Sequence, residues 1–178
     1  AVASAHGEAR LPAESAWHGA GDCRVRAGGQ DARMLRFELG DSPAPASPSP
    51  VLLAHAIDLD PRARYLMRCD RVDFAHGDVA LPHRHRGGGI RCLLRGRLEV
   101  TVGEAPPKTI VPGGAWFESG REPVLARAAP DADTSFVRVS ILPAEIKGQS
   151  SILYVDAADA ARGKPRRYTV FVDDPIAI

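Results

Sequence analysis

The sequence is poor in the features that mark several large classes of protein. Its three cysteines, Cys23, Cys69 and Cys92, are scattered and form no C-x-x-C pair, so no disulfide framework is expected. No apolar run approaches the roughly 20 residues that span a bilayer. The net charge of +1 gives no electrostatic reason to expect DNA, RNA or an anionic membrane as a partner. We therefore expect neither a nucleic acid nor a membrane as a partner.

The same scarcity bears on location and on chemistry. The cysteine usage favours a reducing compartment, and we expect a cytoplasmic protein. The alternative is the mature N-terminus of an exported protein, because Ala3-Ser4-Ala5 is similar to a signal-peptidase site. The sequence has no G-x-S-x-G elbow, P-loop or H-E-x-x-H motif, so the common chemistries of those motifs are not predicted.

The chain instead contains many short strand patterns separated by turns. Residues 1–30 show no sustained period and are predicted to be an irregular arm, and the proline-rich stretch 41–50 is predicted to be a surface loop. Residues 31–178 are expected to form one all-β domain, a sandwich or barrel. Strands are predicted over 32–39, 51–59, 65–74, 80–85, 89–95, 97–102, 111–117, 124–128, 134–142, 151–155 and 167–172, and a helix over 157–162.

The most informative segment runs from Gly77 to Gly96 and contains His83 and His85. On a strand, two histidines separated by one residue point to the same face because side chains alternate with a period of two. Imidazole suits zinc, copper, iron or nickel, so this pair is a candidate grip for one metal ion. The run Gly87 to Gly89 is predicted to allow positive φ at the hairpin beside the histidines.

This spacing resembles the first motif of the cupin family, G-x5-H-x-H-x3-E-x6-G, with both glycines and both histidines in place. The resemblance implies an RmlC-like jelly-roll barrel, the cupin-type double-stranded β-helix, whose mouth usually holds one divalent metal. Longer stretches are similar to a group of bacterial single-domain cupins with no settled activity. Cupins commonly form dimers, so a homodimer is expected by analogy.

Two of the family's usual ligands are missing from this sequence. Gly89 stands where the first motif has glutamate. The second motif, G-x5-P-x-G-x2-H-x3-N, is met at Pro112 and Gly114, but Phe117 falls on the histidine and Arg121 on the asparagine. The resemblance therefore implies the fold more strongly than it implies the metal.

Three candidates remain for a third ligand: Glu118, His55 and water. Glu118 follows Phe117 directly, and two histidines with one carboxylate would leave open coordination positions. If Phe117 points into the barrel, Glu118 points out unless a bulge shifts the register. His55 lies in an alternating apolar run, where a hydrogen-bonded core histidine is the favoured interpretation.

Further residues are candidates for contact with a substrate. Counting from the histidines through the glycine turn places Arg91 on the barrel-facing side, where it suits a carboxylate or enolate or else forms a salt bridge with Glu99, Glu118 or an aspartate. Arg138 has a similar claim, and Trp116 is a candidate pocket wall. The basic cluster over residues 162–167 is interpreted as a solvated loop.

The sequence thus predicts a cupin that binds one divalent transition metal, Fe, Mn, Ni or Zn, through His83, His85 and Glu118. Arg91, Trp116 and Arg138 would bind a small acidic organic molecule. Oxidation, decarboxylation, isomerisation and lyase chemistry are all open. The alternative is a non-catalytic small-molecule binding or sensing cupin with a degenerate metal site.

Overall fold

A computed structural model describes residues 1–29, 31–41, 49–162 and 166–178. The chain divides into two compact units, Ala1–Ala44 and Pro45–Ile178. The first unit, predicted to begin with an irregular arm, contains a small antiparallel sheet of three short strands in the order β2-β1-β3. These strands are β1 (Val2–Ser4), β2 (Gly7–Ala9) and β3 (Cys23–Val25).

The second unit is built almost entirely of antiparallel strands, as predicted. It also contains two short 3-10 helices, Ala144–Ile146 and Ala157–Arg162, the second of which lies where a helix was predicted. The strands are β4 (Tyr65–Phe74), β5 (Val79–His85), β6 (Gly89–Arg95), β7 (Leu98–Val102), β8 (Lys108–Ile110), β9 (Ala115–Glu118), β10 (Val124–Ala128), β11 (Thr134–Pro143), β12 (Ile152–Tyr154) and β13 (Arg166–Ile176).

These strands form two five-stranded sheets, in the orders β12-β5-β10-β7-β8 and β13-β4-β11-β6-β9. When β4 to β11 are counted as strands one to eight, one sheet has the order 1-8-3-6 and the other 2-7-4-5. Every described pairing in the two sheets is antiparallel. This interleaving of two Greek keys is the topology of an eight-stranded jelly roll.

The alternation of side chains gives each strand one face toward the interior. In β4 every second residue from Leu66 to Phe74 is buried, which is the period expected of a strand that covers a core on one side. The core packs apolar residues from both sheets: Val72, Phe74, Ala80, Leu93, Leu98, Val100, Val124, Ala126, Ala128 and Phe136. Polar side chains occupy the rest of the interior, and they form the candidate site.

Three strand predictions are wrong. Residues 32–39 and 51–59 form no strand, because neither stretch finds a neighbouring strand to accept its backbone hydrogen bonds. An alternating pattern alone does not supply that partner. The strand predicted over 111–117 is interrupted by a turn in which Gly113 has a φ of +85°, and the chain resumes as β9.

The proline-rich loop predicted over 41–50 lies mostly outside the described residues. Within the described ranges, no helix is both long enough and apolar enough to cross a membrane.

Candidate functional site

His83 and His85 lie on β5 with their side chains directed into the barrel. Both residues are more than nine-tenths buried, at 6% and 7% exposure, whereas Arg84 between them is exposed. Their rings meet edge to face with centroids 4.8 Å apart. The prediction that the period of two places both imidazoles on one face is confirmed.

Each histidine is anchored through its Nδ1 atom. Nδ1 of His83 lies 2.7 Å from the carbonyl oxygen of Leu81, which can only accept, so this nitrogen carries the proton. Nδ1 of His85 lies 3.3 Å from the hydroxyl oxygen of Ser151. A neutral His83 ring in this tautomer keeps a lone pair on Nε2. Metal-binding histidines are commonly held in this way.

Burial keeps both imidazoles neutral. Burial lowers the pKa of His83, and the charges of Arg166 and Arg138 lower it further. Burial also lowers the pKa of His85, to about 3, with Arg91 and Arg138 acting in the same direction. At neutral pH the two rings are therefore proton acceptors or metal ligands and carry no charge.

Glu118 ends β9 and points into the same space. Its residue is 5% exposed, and Oε2 lies 3.4 Å from Nε2 of His85. Phe117 points to the outer side of the sheet, so the alternation of side chains along β9 places the next residue, Glu118, on the inner side. No bulge is needed, because the turn before β9 sets the phase of the strand.

Arg91 is fully buried at 1% exposure and faces inward, as counting from the histidines predicted. Its Nη2 atom lies 2.8 Å from Oε2 of Glu118, and its Nη1 donates to the carbonyl oxygen of Gly89. The close ion pair is not aligned as a hydrogen bond, and among the described residues neither Nη2 nor Oε2 has a hydrogen-bond partner. The two groups therefore attract each other as opposite charges, while Nη2 and Oε2 can each still form a hydrogen bond.

The pKa of Glu118 follows from these contacts. Burial raises it, but the charge of Arg91, the contact with His85 and a hydrogen bond from Trp116 outweigh burial and leave it well below its usual range. Burial lowers the pKa of Arg91 to about 10, partly offset by Glu118. The carboxylate is therefore ionised at neutral pH and the guanidinium is charged.

Arg138 and Trp116 line the same space but are already engaged. Arg138 donates from Nε and Nη2 to the two oxygens of Asp70, at 2.7 and 2.9 Å. The indole nitrogen of Trp116 donates to Oε1 of Glu118 at 2.8 Å. As they stand, Arg138 holds a carboxylate of the protein and Trp116 orients Glu118.

His55 does not reach this site. Its side chain is exposed and its ring stacks on Phe117, with centroids 3.7 Å apart and planes 11° apart. Because Phe117 faces outward, His55 lies on the outside of the sheet. Both expectations for it, a core residue or a third ligand, are wrong.

Comparison with known proteins gives partial structural likenesses. Neither a protein-family model nor a curated protein matches the sequence. The chain is similar to the DMSP lyase DddQ from Ruegeria pomeroyi, with 18% identity, 51% of this chain and 43% of the lyase covered, and a TM-score of 0.44. The chain thus spans less than half of the lyase's length.

Two of the similar structures are described as cupins. For a cupin 2 domain-containing protein from Halorhodospira halophila, the identity is 17%, the coverage is 52% of this chain and 61% of that one, and the TM-score is 0.41. For an RmlC-like cupin from Shewanella frigidimarina, the corresponding values are 12%, 51%, 94% and 0.39.

The strand order and the place of the histidine pair decide the fold. The eight strands interleave as a jelly roll, an architecture that includes the cupins, and the H-x-H segment faces its interior from β5. The fold is a jelly roll, the architecture that the resemblance to the cupins implies. The prediction of an all-β cupin barrel is confirmed.

The packing of the barrel explains why Gly89 stands where the family motif has glutamate. A Cβ atom at Gly89 would lie 2.2 Å from the carbonyl oxygen of Val139 and 2.7 Å from Cα of Ser140, so no side chain fits there. Glu118 lies directly opposite Gly89 across β6 and β9. A carboxylate thus approaches the histidines from the strand next to the one that carries it in the family motif.

The glycine run itself has a different role from the one predicted. Gly87, Gly88 and Gly89 are not among the residues with positive φ. A Cβ at Gly87 would lie 2.1 Å from the carbonyl oxygen of Ile141. The run therefore permits close contact between backbones, which only a residue without a side chain allows.

The cavity inside the barrel is small. Its volume is about 20 Å³, which is room for a water-sized group. It is lined by His83, His85, Arg91, Glu118, Arg138 and Arg166 together with apolar side chains of the core. A larger organic ligand requires these side chains to move.

The donor atoms suit a metal ion, but they are not gathered around one point. In the described part of the chain, no three His, Cys, Asp or Glu side chains are arranged to hold a metal ion. The separation of 3.4 Å between Nε2 of His85 and Oε2 of Glu118 is nevertheless that of two ligands on one ion, because two bonds of about 2.0–2.2 Å at a tetrahedral angle place their ends about 3.4 Å apart.

One residue that lines the cavity is not predicted by the sequence pattern. Arg166 begins β13 and was interpreted as part of a solvated basic loop, yet it is 7% exposed and lines the cavity. Arg166 pairs with Phe74 on β4. Because Phe74 is buried, the side chain of Arg166 also points inward. That pairing could not be read from the sequence, since residues 74 and 166 are far apart along the chain.

Proposed function

We propose that this protein is a metal-binding cupin that acts on a small acidic organic molecule. His83, His85 and Glu118 hold one divalent transition metal ion, Fe, Mn, Ni or Zn, inside the barrel. The observation that carries the proposal is the contact between His85 and Glu118, whose facing atoms are 3.4 Å apart while Oε2 has no hydrogen-bond partner among the described residues. A buried carboxylate oxygen without an aligned hydrogen bond, beside a neutral imidazole, supplies two of the ligand types that a divalent transition metal takes.

The residues around the proposed metal site have different roles. Leu81 and Ser151 orient the imidazoles through Nδ1, and Trp116 fixes Glu118 through Oε1. Arg91 keeps Glu118 ionised, which a metal ligand requires. A bound metal would act as a Lewis acid that polarises a substrate oxygen. The charged guanidinium groups around the cavity favour an acidic substrate.

Metal content after loading tests the proposal. Protein incubated with Zn²⁺ or Mn²⁺ and then desalted should retain close to one ion per chain by elemental analysis. The double variant His83→Ala/His85→Ala should lose it, and Glu118→Gln should weaken retention by more than the roughly 10–100-fold that loss of an outer hydrogen-bond partner costs.

Matched controls come from exposed residues of the same types. His76 and Glu122 are exposed, so His76→Ala and Glu122→Gln should retain metal like the unmodified protein. If no variant changes retention, or if the unmodified protein retains no metal, the proposed site is wrong.

A second candidate function is a binding or sensing cupin with no metal. The contact between Arg91 and Glu118 favours it, because a guanidinium 2.8 Å from the carboxylate satisfies the charge that a metal would need. Three guanidinium groups, those of Arg91, Arg138 and Arg166, also oppose entry of a cation. In that case loading leaves no metal on the protein, whereas binding of a small anion persists.

A further inference from the structure

Arg166 differs from the other buried arginines of the barrel. Arg138 pairs with Asp70, Arg91 with Glu118, and Arg68 with Asp173. Arg166 is 7% exposed, yet no carboxylate in the described ranges lies within ion-pair distance of it. The residues outside those ranges include no aspartate or glutamate. Its charge is therefore buried without a partner of opposite sign.

The contacts of Arg166 engage its Nε atom but not its Nη2 atom. Nε donates to the hydroxyl oxygen of Tyr168 at 2.8 Å, and the guanidinium carbon lies 5.8 Å from the centroid of the Phe74 ring. The Nη2 atom is buried and has no hydrogen-bond partner in the described structure. Burying a charged donor without a partner is costly, so such a group is rarely kept without a use.

The side chains around the guanidinium of Arg166 carry a net positive charge. The guanidinium groups of Arg91, Arg138 and Arg166 face the two carboxylates of Glu118 and Asp70, and the two histidines are neutral. Three positive charges against two negative charges leave a surplus of one. A monovalent anion balances it.

We propose that Arg166 is the recognition residue for the carboxylate group of a small organic acid. The anion accepts a hydrogen bond from Nη2 of Arg166 inside the barrel, next to His83. A cavity of about 20 Å³ has room for a water-sized group, so one carboxylate oxygen fits as the cavity stands. Charge-assisted hydrogen bonds of this kind are short and strong.

This inference rests on the proposed function in that it names the ligand class of the same cavity, but it does not require that a metal be bound. Formate is the smallest carboxylate and serves as the probe. Protein stripped of metal with a chelator is labelled with ¹⁵N-arginine, and formate is added at constant ionic strength while the arginine Nε–H signals are followed. The Arg166 signal is assigned by its absence in Arg166→Lys.

We expect a saturable shift of the Arg166 signal. The Arg166 variants lack this signal, so their formate binding is read from the Arg91 and Arg138 signals. Arg166→Gln should weaken formate binding by at least about tenfold, since it removes a hydrogen bond to a charged group. Arg166→Lys keeps the positive charge and most of the aliphatic stem but loses the planar fork, so its binding should be intermediate. The matched control is Arg167→Gln, because the Arg167 side chain is 74% exposed and pairs with Asp73.

The outcomes separate the two proposals. Formate binding that is absent in the unmodified protein, equal in Arg166→Gln, or reproduced by chloride at the same ionic strength overturns the carboxylate assignment, whatever the metal result. Formate binding without Zn²⁺ retention leaves this inference intact and removes the metal site. Should Arg166→Gln fail to fold, the shift in the unmodified protein and the Arg166→Lys affinity still decide the question.

Discussion

Two buried arginine–carboxylate pairs lie side by side in one sheet, and they are built differently. Arg138 and Asp70 form two aligned hydrogen bonds, at 2.7 and 2.9 Å, so both oxygens of the carboxylate are used. Arg91 and Glu118 approach to 2.8 Å without hydrogen-bond alignment. Arg91 and Arg138 are direct neighbours across β6 and β11, so each guanidinium needs its own carboxylate.

The difference separates a structural pair from a functional one. Both oxygens of Asp70 already accept hydrogen bonds from Arg138, so a ligand would gain little by binding this pair. The Glu118 pair places an ionised oxygen next to a neutral imidazole and leaves that oxygen without a hydrogen bond in the described structure. We infer that the first pair stabilises the sheet and that the second is kept for a ligand.

The largest effect is expected when the structural pair is broken. Asp70→Asn removes the negative charge and turns an amide donor toward Arg138, which leaves a buried guanidinium uncompensated. The free energy of unfolding should fall by about 3–5 kcal/mol, the usual cost of breaking a buried pair. Urea denaturation at pH 7 measures it.

A surface pair provides the control for this loss. Asp131 pairs with Arg97 at 3.1 Å with both side chains at least half exposed, so Asp131→Asn should change stability by no more than about 1 kcal/mol. Equal losses for Asp70→Asn and Asp131→Asn would contradict the structural role of Asp70.

The functional pair should cost less to break. Glu118→Gln keeps the shape of the side chain and an oxygen that accepts from Trp116, and the contact it loses is not an aligned hydrogen bond. The buried guanidinium of Arg91 still loses its counter-charge, so we expect a loss of about 3 kcal/mol in protein without metal, the lower end of the cost of breaking a buried pair. A loss as large as that of Asp70→Asn would show that the two pairs are equivalent and would break the distinction.

A further effect concerns pH. The pKa of His85 is lowered to about 3 in the folded protein, whereas an unfolded histidine titrates near about 6.5. As pH falls from about 6.5 toward 3, the unfolded chain takes up a proton that the folded chain does not, so the folded state loses stability over this window. His85→Gln should flatten the decline measured by urea denaturation between pH 7 and pH 4. An unchanged slope would show that His85 does not titrate as its burial implies.

The sequence predicted the parts of the site that depend on a single strand. The period of two placed His83 and His85 together, and counting through Gly89 placed Arg91 inward, because β5 and β6 join by a short turn. A salt bridge of Arg91 with Glu99, Glu118 or an aspartate was the alternative to substrate binding, and in the structure the partner is Glu118.

The sequence did not predict features that depend on turns or on distant pairings. The phase of β9, which puts Glu118 inside and Phe117 outside, is set by the turn before it. Arg166 faces the cavity because β13 pairs with β4, a contact between segments about half the chain apart. The run 51–59 has the alternation of a strand but no partner strand, so the pattern was misleading.

The most direct test is a crystal structure of the Zn²⁺-loaded protein with anomalous diffraction collected at the zinc edge. The proposal predicts one anomalous peak inside the barrel, about 2.0–2.2 Å from Nε2 of His83, Nε2 of His85 and Oε2 of Glu118. A barrel without a peak, with Arg91 still in contact with Glu118, would contradict the metal site.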